Sequence, residues 1–284
     1  MKPLKELIEK IRTIPPLSQS AMRLMELMNN PNRSLQQVAE IVQNDPSLTA
    51  NVLKVVNAPA FGLGRPVTSL SRALSFLGER MIVGIALGSS APGVYGKPLA
   101  GYESEAGELW EHSLRTAIAS REMAGRALAD IPADSAFTAG ILHDIGKSLL
   151  SEFIEGKTRE IISSIAEEED LGFLEAERRL LGFDHCQAGL ALAEHWNLPE
   201  ILRQAISHHH EPANAPDEHR PLVFCVHLGD MIAMLGGTGV GADCLAYPLE
   251  ERFQEYVSLT EDQVEEIALS VAMEFEKTRT LFFD

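Results

Sequence analysis

Apolar residues recur along this chain with the period of an α-helix, and that spacing limits the possible folds more than any other feature. After Ser18, apolar side chains stand at Ala21, Leu24 and Met28, which places them on one helical face. A similar stripe predicts a long helix over residues 105–128. No run of residues alternates in the manner of β-strands. The sequence therefore predicts an all-α protein.

Two short helices near the N-terminus leave a DNA-binding alternative open. Ser34 and Gln37 form a capping box for one helix, and a second helix starts near Asp45. Such a pair resembles a helix-turn-helix unit in which residues 46–58 would lie in the major groove. This segment contains only Lys54 as a positive side chain, whereas phosphate contacts supply much of the affinity for DNA. DNA recognition through these helices is therefore disfavoured.

A segment rich in turn-forming residues separates the helices into two groups. Residues 89–101 read SSAPGVYGKPLAG, a composition typical of loops and connectors. We expect a connector at residues 96–106, an N-terminal helical half at 1–95 and a C-terminal helical domain at 107–284. The predicted architecture is two packed helical halves.

Composition excludes several classes of protein. With 45% hydrophobic and 23% charged residues, the 284-residue chain can bury a sizeable core. No stretch approaches the ~20 apolar residues that span a bilayer, and the N-terminus lacks the apolar core of a secretory signal. We therefore expect a cytoplasmic protein that does not contact the membrane. A net charge of -17 makes nucleic acid a disfavoured partner, because it repels a phosphate backbone.

Five short motifs carry a resemblance to a known family. They are IPPL at 14–17, NDPSLT at 44–49, VVN at 55–57, ALSFLG at 73–78 and TAGILHDIGK at 138–147. In this order they resemble the HDOD family, which consists of all-helical bacterial signalling proteins related to HD-domain phosphohydrolases. Together with the histidines described next, the resemblance covers most of residues 14 to 230. It implies that the C-terminal half is an HD-domain-like helical bundle.

The resemblance implies a metal site around the dipeptide His143-Asp144. This dipeptide matches the His-Asp pair that names the HD family, in which the aspartate bridges two metal ions. The further ligands implied by the resemblance are His112, His185, His209, His210 and Asp230. Glu108 is a candidate ligand on the ground of spacing, since it stands four residues before His112 on a predicted helix and shares its face.

The predicted ligands determine the expected cofactor and chemistry. Histidine nitrogens and carboxylate oxygens suit divalent metal ions, of which we expect two, with iron or manganese favoured and zinc or magnesium as alternatives. A carboxylate that bridges two ions is how many phosphate-ester hydrolases activate water. Asp144 is therefore a candidate catalytic residue, and Lys147 a second one that would steady a phosphate oxygen. His195, His219 and His227 match no motif and are expected to be surface or hydrogen-bonded histidines.

The cysteines are few and scattered. Cys186, Cys225 and Cys244 form no C-x-x-C pair, which argues against a disulfide framework or a thiolate zinc knuckle. Each is expected to be a small buried side chain. Because Cys186 follows His185 directly, a redox-sensing role beside a metal is the alternative.

Two functions are compatible with these residues. The first is a regulatory HDOD module with a retained metal site, which would bind a signalling protein or a small phosphorylated ligand, often downstream of two-component or cyclic-nucleotide signalling. The second is a metal-dependent phosphohydrolase or phosphodiesterase. Residues 211–219 lack the Asp-Gly-x-Gly-Tyr-Pro run of the HD-GYP enzymes, which argues against cyclic di-GMP as substrate. The regulatory module is favoured. In this module we expect the N-terminal half to lie across the metal cleft. The sequence leaves open whether the protein is catalytic and which oligomer it forms.

Overall fold

Helices dominate the computed structural model of the chain, which describes residues 2–57, 66–90, 92–167, 172–237, 241–243 and 247–283. In chain order they are α1 (Lys2–Thr13), α2 (Gln19–Met28), α3 (Leu35–Gln43), α4 (Pro46–Val56), α5 (Leu70–Ser90), α6 (Pro92–Tyr95), α7 (Glu108–Ala124), α8 (Ala133–Leu142), α9 (Lys147–Ile154), α10 (Thr158–Glu167), α11 (Phe173–Leu181), α12 (His185–His195), α13 (Glu200–His208), α14 (Arg220–Leu235) and α15 (Glu261–Phe283). Apart from short 3-10 turns and two isolated bridges, these ranges contain no other regular structure. The predicted all-α class is confirmed.

Side-chain caps start the N-terminal helices at the positions that the sequence predicts. The Ser18 hydroxyl accepts a backbone amide at the start of α2. Ser34 and Gln37 form the reciprocal capping box before α3, and the Asp45 carboxylate caps α4. Each cap satisfies an amide that has no partner inside its helix, which fixes where the helix begins.

Helices α7, α8 and α14 form the centre of the C-terminal bundle, with α7 packed along both of the others. The contact between α7 and α8 is unusually close. A Cβ atom on Gly140 of α8 would lie only 2.5 Å from the Cα atom of Ala117 on α7. This approach brings the end of α8, and with it His143, beside the face of α7 that carries His112. Among the helices described, none is both long and apolar enough to cross a bilayer.

Contacts join the two predicted halves at several points. The carboxylate of Asp134 on α8 lies 2.5 Å from Arg33 Nη2 and 2.5 Å from Arg80 Nε, both on the N-terminal side. The indole nitrogen of Trp196 donates to the carbonyl oxygen of Pro15 at 3.0 Å. The buried apolar core also includes residues from both sides of the predicted connector. The division at this connector stays a prediction, and the two sides are tightly packed together.

We predict that Asp134→Ala destabilises the protein by about 2 kcal/mol, because it removes the acceptor of two arginines where the carboxylate is only 11% exposed. Urea unfolding followed by circular dichroism measures the loss. The matched control is Asp217→Ala, whose side chain is 92% exposed and pairs with Arg220; it should change stability by less than about 0.5 kcal/mol. Equal effects of the two substitutions would show that the Asp134 ion pairs do not hold the halves together.

Candidate metal centre

Seven of the predicted ligands lie together inside the C-terminal bundle. They are His112 on α7, His143 and Asp144 after α8, His185 at the start of α12, His209 and His210 after α13, and Asp230 on α14. Each is at most 7% exposed. Burying this many ionisable groups together is costly unless their charges and lone pairs are compensated. Subsets of this cluster place their ligand atoms close enough together to hold a metal ion.

Asp144 stands at the centre of the cluster. Its Oδ2 atom lies 3.5 Å from His112 Nε2 and 3.4 Å from His143 Nε2. Its Oδ1 atom lies 3.5 Å from His185 Nε2 and 3.4 Å from His209 Nε2. Each carboxylate oxygen therefore faces a different pair of histidines, an arrangement suited to a bridging ligand.

Asp230 supplies a second carboxylate at one side of Asp144. Its Oδ1 atom lies 3.0 Å from His112 Nε2 and 3.6 Å from His143 Nε2. Its Oδ2 atom lies 3.6 Å from His210 Nδ1. Asp230 thus joins the histidine pair that faces Asp144 Oδ2.

Hydrogen bonds orient the histidine rings with Nε2 towards the cluster. Nδ1 of His143 lies 2.8 Å from the carbonyl oxygen of Gly140, and Nδ1 of His209 lies 3.0 Å from that of Ile206. An acceptor at Nδ1 places the ring proton there and leaves the Nε2 lone pair available. Histidines that bind metals in proteins are held in this way.

Glu177 orients His185 by the same principle. Its Oε2 atom accepts hydrogen bonds from His185 Nδ1 at 2.8 Å and from the His185 backbone amide at 2.9 Å. Its Oε1 atom accepts a hydrogen bond from the Tyr102 hydroxyl at 2.5 Å. Glu177 is completely buried on α11, and Tyr102 lies within the predicted connector. Sequence reasoning missed both residues, since neither belongs to a motif and their partners are distant along the chain.

A close backbone contact places the start of α12 beside the His-Asp pair. Asp184 and Gln187 form a capping box that begins the helix at His185. A Cβ atom on Gly146 would lie 1.8 Å from the carbonyl oxygen of His185. Only glycine permits this approach, so Gly146 brings His185 within reach of Asp144.

Lys147 forms two ion pairs at the cluster. Its Nζ atom lies 2.7 Å from Asp144 Oδ2 and 2.6 Å from Asp243 Oδ2. Burial disfavours the charged amine, but Asp144 and Asp243 outweigh it and raise the pKa of Lys147. Burial likewise opposes ionisation of Asp144, yet Lys147 and His143 hold the pKa of Asp144 well below its usual range. Lys147 thus forms two internal ion pairs, and its contact with a phosphate oxygen stays a prediction.

Residues after α14 cover the cluster. The Tyr247 ring stacks on the His210 ring, with centroids 3.6 Å apart and an angle of 11° between the planes. The Tyr247 hydroxyl donates to Asp243 Oδ2 at 2.7 Å. Both residues are at most 5% exposed. These two residues cover the cluster from the C-terminal side, and the position of the N-terminal half across the metal cleft stays a prediction.

Glu108 does not join the ligands. Its carboxylate accepts the backbone amide of Glu105 at 3.0 Å, near the start of α7, and it is absent from the groups of described side chains that could hold a metal. Sharing a helical face with His112 does not bring Glu108 to the cluster. Glu108 lies at the end of α7, and its side chain turns back to the residues before the helix. His227 bonds at both ring nitrogens, to the carbonyl oxygen of His209 and the amide of Glu250, as expected for a histidine outside the motifs.

Cys186 and Cys225 are both buried, as predicted, and Cys244 lies outside the described residues. The surroundings of Cys186 differ from those of a packing residue, because its Sγ atom lies 3.6 Å from His185 Nε2 and 3.8 Å from His209 Nδ1. Burial acts to raise the pKa of the Cys186 thiol, but His209 and His185 outweigh it and lower the pKa.

Comparison with known proteins gives a family match over most of the chain. The model of the HDOD domain matches residues 14–212. An uncharacterized protein of Treponema pallidum (strain Nichols) is 27% identical over 226 residues, which are 78% of this chain and 42% of that protein. The chain therefore spans less than half the length of this relative.

Three solved structures share the fold. An HDOD domain protein of unknown function from Geobacter sulfurreducens is 23% identical with a TM-score of 0.71, covering 98% of both chains. A candidate signal transduction protein from Marinobacter aquaeolei VT8 is 20% identical with a TM-score of 0.77, covering 99% of this chain and 64% of that chain. A candidate phosphohydrolase from Shewanella amazonensis SB2B is 24% identical with a TM-score of 0.63, covering 97% of both chains.

We predict that Gly146→Ala destabilises the protein by about 3 kcal/mol, because the new methyl group collides with the backbone of His185. Thermal and urea unfolding measure the effect. In the control Gly125→Ala, the nearest atom lies 3.5 Å from the new Cβ, and stability should change by less than about 1 kcal/mol. A Gly146→Ala protein as stable as the Gly125→Ala protein would contradict the contact between the His-Asp turn and α12.

Proposed function

The chain belongs to the HDOD domain family, and from this premise we propose that it is a regulatory module of bacterial signal transduction that binds two divalent metal ions in an HD-type site. The observation that carries the proposal is the position of Asp144, whose two oxygens face separate histidine pairs at 3.4–3.5 Å. A single carboxylate in this position can bridge two ions. The orientation of the histidines by acceptors at Nδ1 supports the same assignment.

The donor set divides into two positions. The first would be held by His112, His143 and Asp230 together with Asp144 Oδ2, and the second by His185 and His209 together with Asp144 Oδ1. His210 stands beside the second position. When bound, two ions would polarise a phosphate ester and lower the pKa of a water molecule. The mixture of nitrogen and oxygen donors favours iron or manganese, with zinc or magnesium as alternatives.

The regulatory function is favoured because the cluster is closed. Tyr247 and Asp243 cover the ligands, and the Lys147 ammonium is held by two carboxylates. Arg115, one helical turn after His112 on α7, stacks its guanidinium on the Phe275 ring at 3.8 Å. Neither cation is therefore poised to receive a phosphate group. A surface of high negative charge further disfavours highly charged anionic ligands. These contacts favour a signalling protein as partner over a small phosphorylated ligand.

A metal-dependent phosphohydrolase is the second candidate. The bridging position of Asp144 supports it, because two ions joined by a carboxylate can act on a phosphate ester. This function requires the cover formed by Tyr247 and Asp243 to move. The absence of the Asp-Gly-x-Gly-Tyr-Pro run after His210 argues against cyclic di-GMP as its substrate.

We predict that Asp144→Ala removes most of the bound metal, because both positions lose a ligand. Elemental analysis of the purified protein measures the metal content. Chelation should lower the melting temperature of the wild type but not that of Asp144→Ala, since a metal bound only by the folded state stabilises it. Glu108→Ala is the control and should keep its metal, because Glu108 lies outside the cluster. Equal metal content in Asp144→Ala and the wild type would refute the proposed centre.

We predict that the metal-loaded wild type does not hydrolyse a panel of generic phosphoesters above the rate of the metal-free protein. The reason is that the cluster is buried under Tyr247. Tyr247→Ala, which removes the stacked ring, tests whether the cover alone prevents hydrolysis. Activity in the wild type or in Tyr247→Ala that disappears on Asp144→Ala would instead favour the phosphohydrolase. Release of inorganic phosphate or of a chromogenic leaving group is the readout.

A further inference from the structure

A thiol lies among the ligands of the second metal position. His185, Cys186, His209 and His210 place one potential ligand atom each within 4.8 Å of one another, and all four are buried. His185 and Cys186 are consecutive residues in the first turn of α12. Their side chains nevertheless meet, with Cys186 Sγ 3.6 Å from His185 Nε2.

This separation suits two ligands of one metal ion. Metal bonds of about 2.1 Å to nitrogen and about 2.3 Å to sulfur, at a tetrahedral angle, place the two ligand atoms about 3.6 Å apart. The nitrogen concerned is also the one available for a metal, because Nδ1 of His185 is engaged by Glu177. The sulfur also contacts the ring of His209, at 3.8 Å from Nδ1 and 4.0 Å from Nε2.

His210 points to a ligand at the same place independently of the thiol. It is only 7% exposed, and neither of its ring nitrogens has a hydrogen-bond partner among the described residues. Leaving a buried polar group without a partner is energetically unfavourable. A cation bound between His210, His185 and Cys186 would provide the missing interaction.

We propose that Cys186 binds the metal ion of the second position as a thiolate, together with His185, His209 and His210. The inference rests on the metal centre proposed above and names a ligand that the family resemblance does not supply. A thiolate is a soft ligand, whereas manganese and magnesium prefer oxygen. The second position therefore selects zinc, iron or cobalt, and the two positions differ in the metals that they prefer.

Cobalt(II) tests this ligand directly, because a bond between cobalt and a thiolate gives a sulfur-to-metal charge-transfer band in the near ultraviolet. The full chain is freed of metal and loaded with cobalt alone, and its cobalt content is measured. We expect the band in the wild type and its complete loss in Cys186→Ala. The variant should still take up cobalt, with about tenfold or more weaker binding at the second position.

Two matched variants exclude the other thiols. Cys225→Ala and Cys244→Ala should both keep the band. The thiol of Cys225 is buried on α14, and because burial raises its pKa to about 12, it is not expected to form a thiolate. Cobalt bound without the band, or a band that survives in Cys186→Ala, would overturn the thiolate ligand and leave the metal centre standing. A wild type that binds no cobalt would overturn the metal centre itself.

X-ray absorption of the zinc-loaded protein keeps the proposal testable if Cys186→Ala does not fold. The double variant Cys225→Ala, Cys244→Ala retains Cys186 as its sole cysteine. We expect a sulfur neighbour at about 2.3 Å from zinc in this protein. A zinc environment made of nitrogen and oxygen alone would show that the Cys186 thiol only packs against the histidines.

Discussion

The ionised carboxylate of Asp144 is the group around which the C-terminal bundle is organised. It is completely buried, and a buried charge is tolerated only when opposite charges and hydrogen-bond donors compensate it. Lys147 supplies the compensating charge from the next helical turn, and four histidines face the two carboxylate oxygens. Because these histidines come from α7, from the end of α8, from α12 and from the turn after α13, the helix packing must bring four segments to one point. The close contacts at Gly140 and Gly146 allow this approach.

A second layer of contacts links the cluster to parts of the chain that carry no ligand. Glu177 joins His185 to Tyr102, so that the segment between the two predicted halves contributes to the orientation of a histidine in the cluster. Asp243 holds Lys147 and receives the hydroxyl of Tyr247, which connects the segment after α14 to Asp144. A change in either segment can therefore reach the cluster through a short series of hydrogen bonds.

The sequence was sufficient for the helical class, for the early helix caps and for most of the side chains that lie together around Asp144. Helical spacing, Ser34 and Gln37 act locally, so their effect can be predicted without the fold. His112 and Asp230 were found only through a family resemblance, because they are separated by more than one hundred residues. Glu108 shows the limit of spacing, since a residue on the correct face can still turn back to a backbone amide that precedes its own helix. Glu177, Asp243 and Tyr247 could not be predicted, because their roles depend on tertiary contacts that leave no local pattern.

Retained ligands alone do not distinguish an enzyme from a regulatory module. A metal bound in a closed site contributes folding free energy, so a complete ligand set can serve stability without any turnover. Catalytic sites differ from structural ones in keeping a coordination position open for water or substrate. Here Tyr247 covers His210, and Cys186 is in position to supply a protein ligand where an enzyme would admit water. The distinguishing property of the proposed centre is therefore access to its second position, and the contacts of Tyr247 and Cys186 favour a closed site.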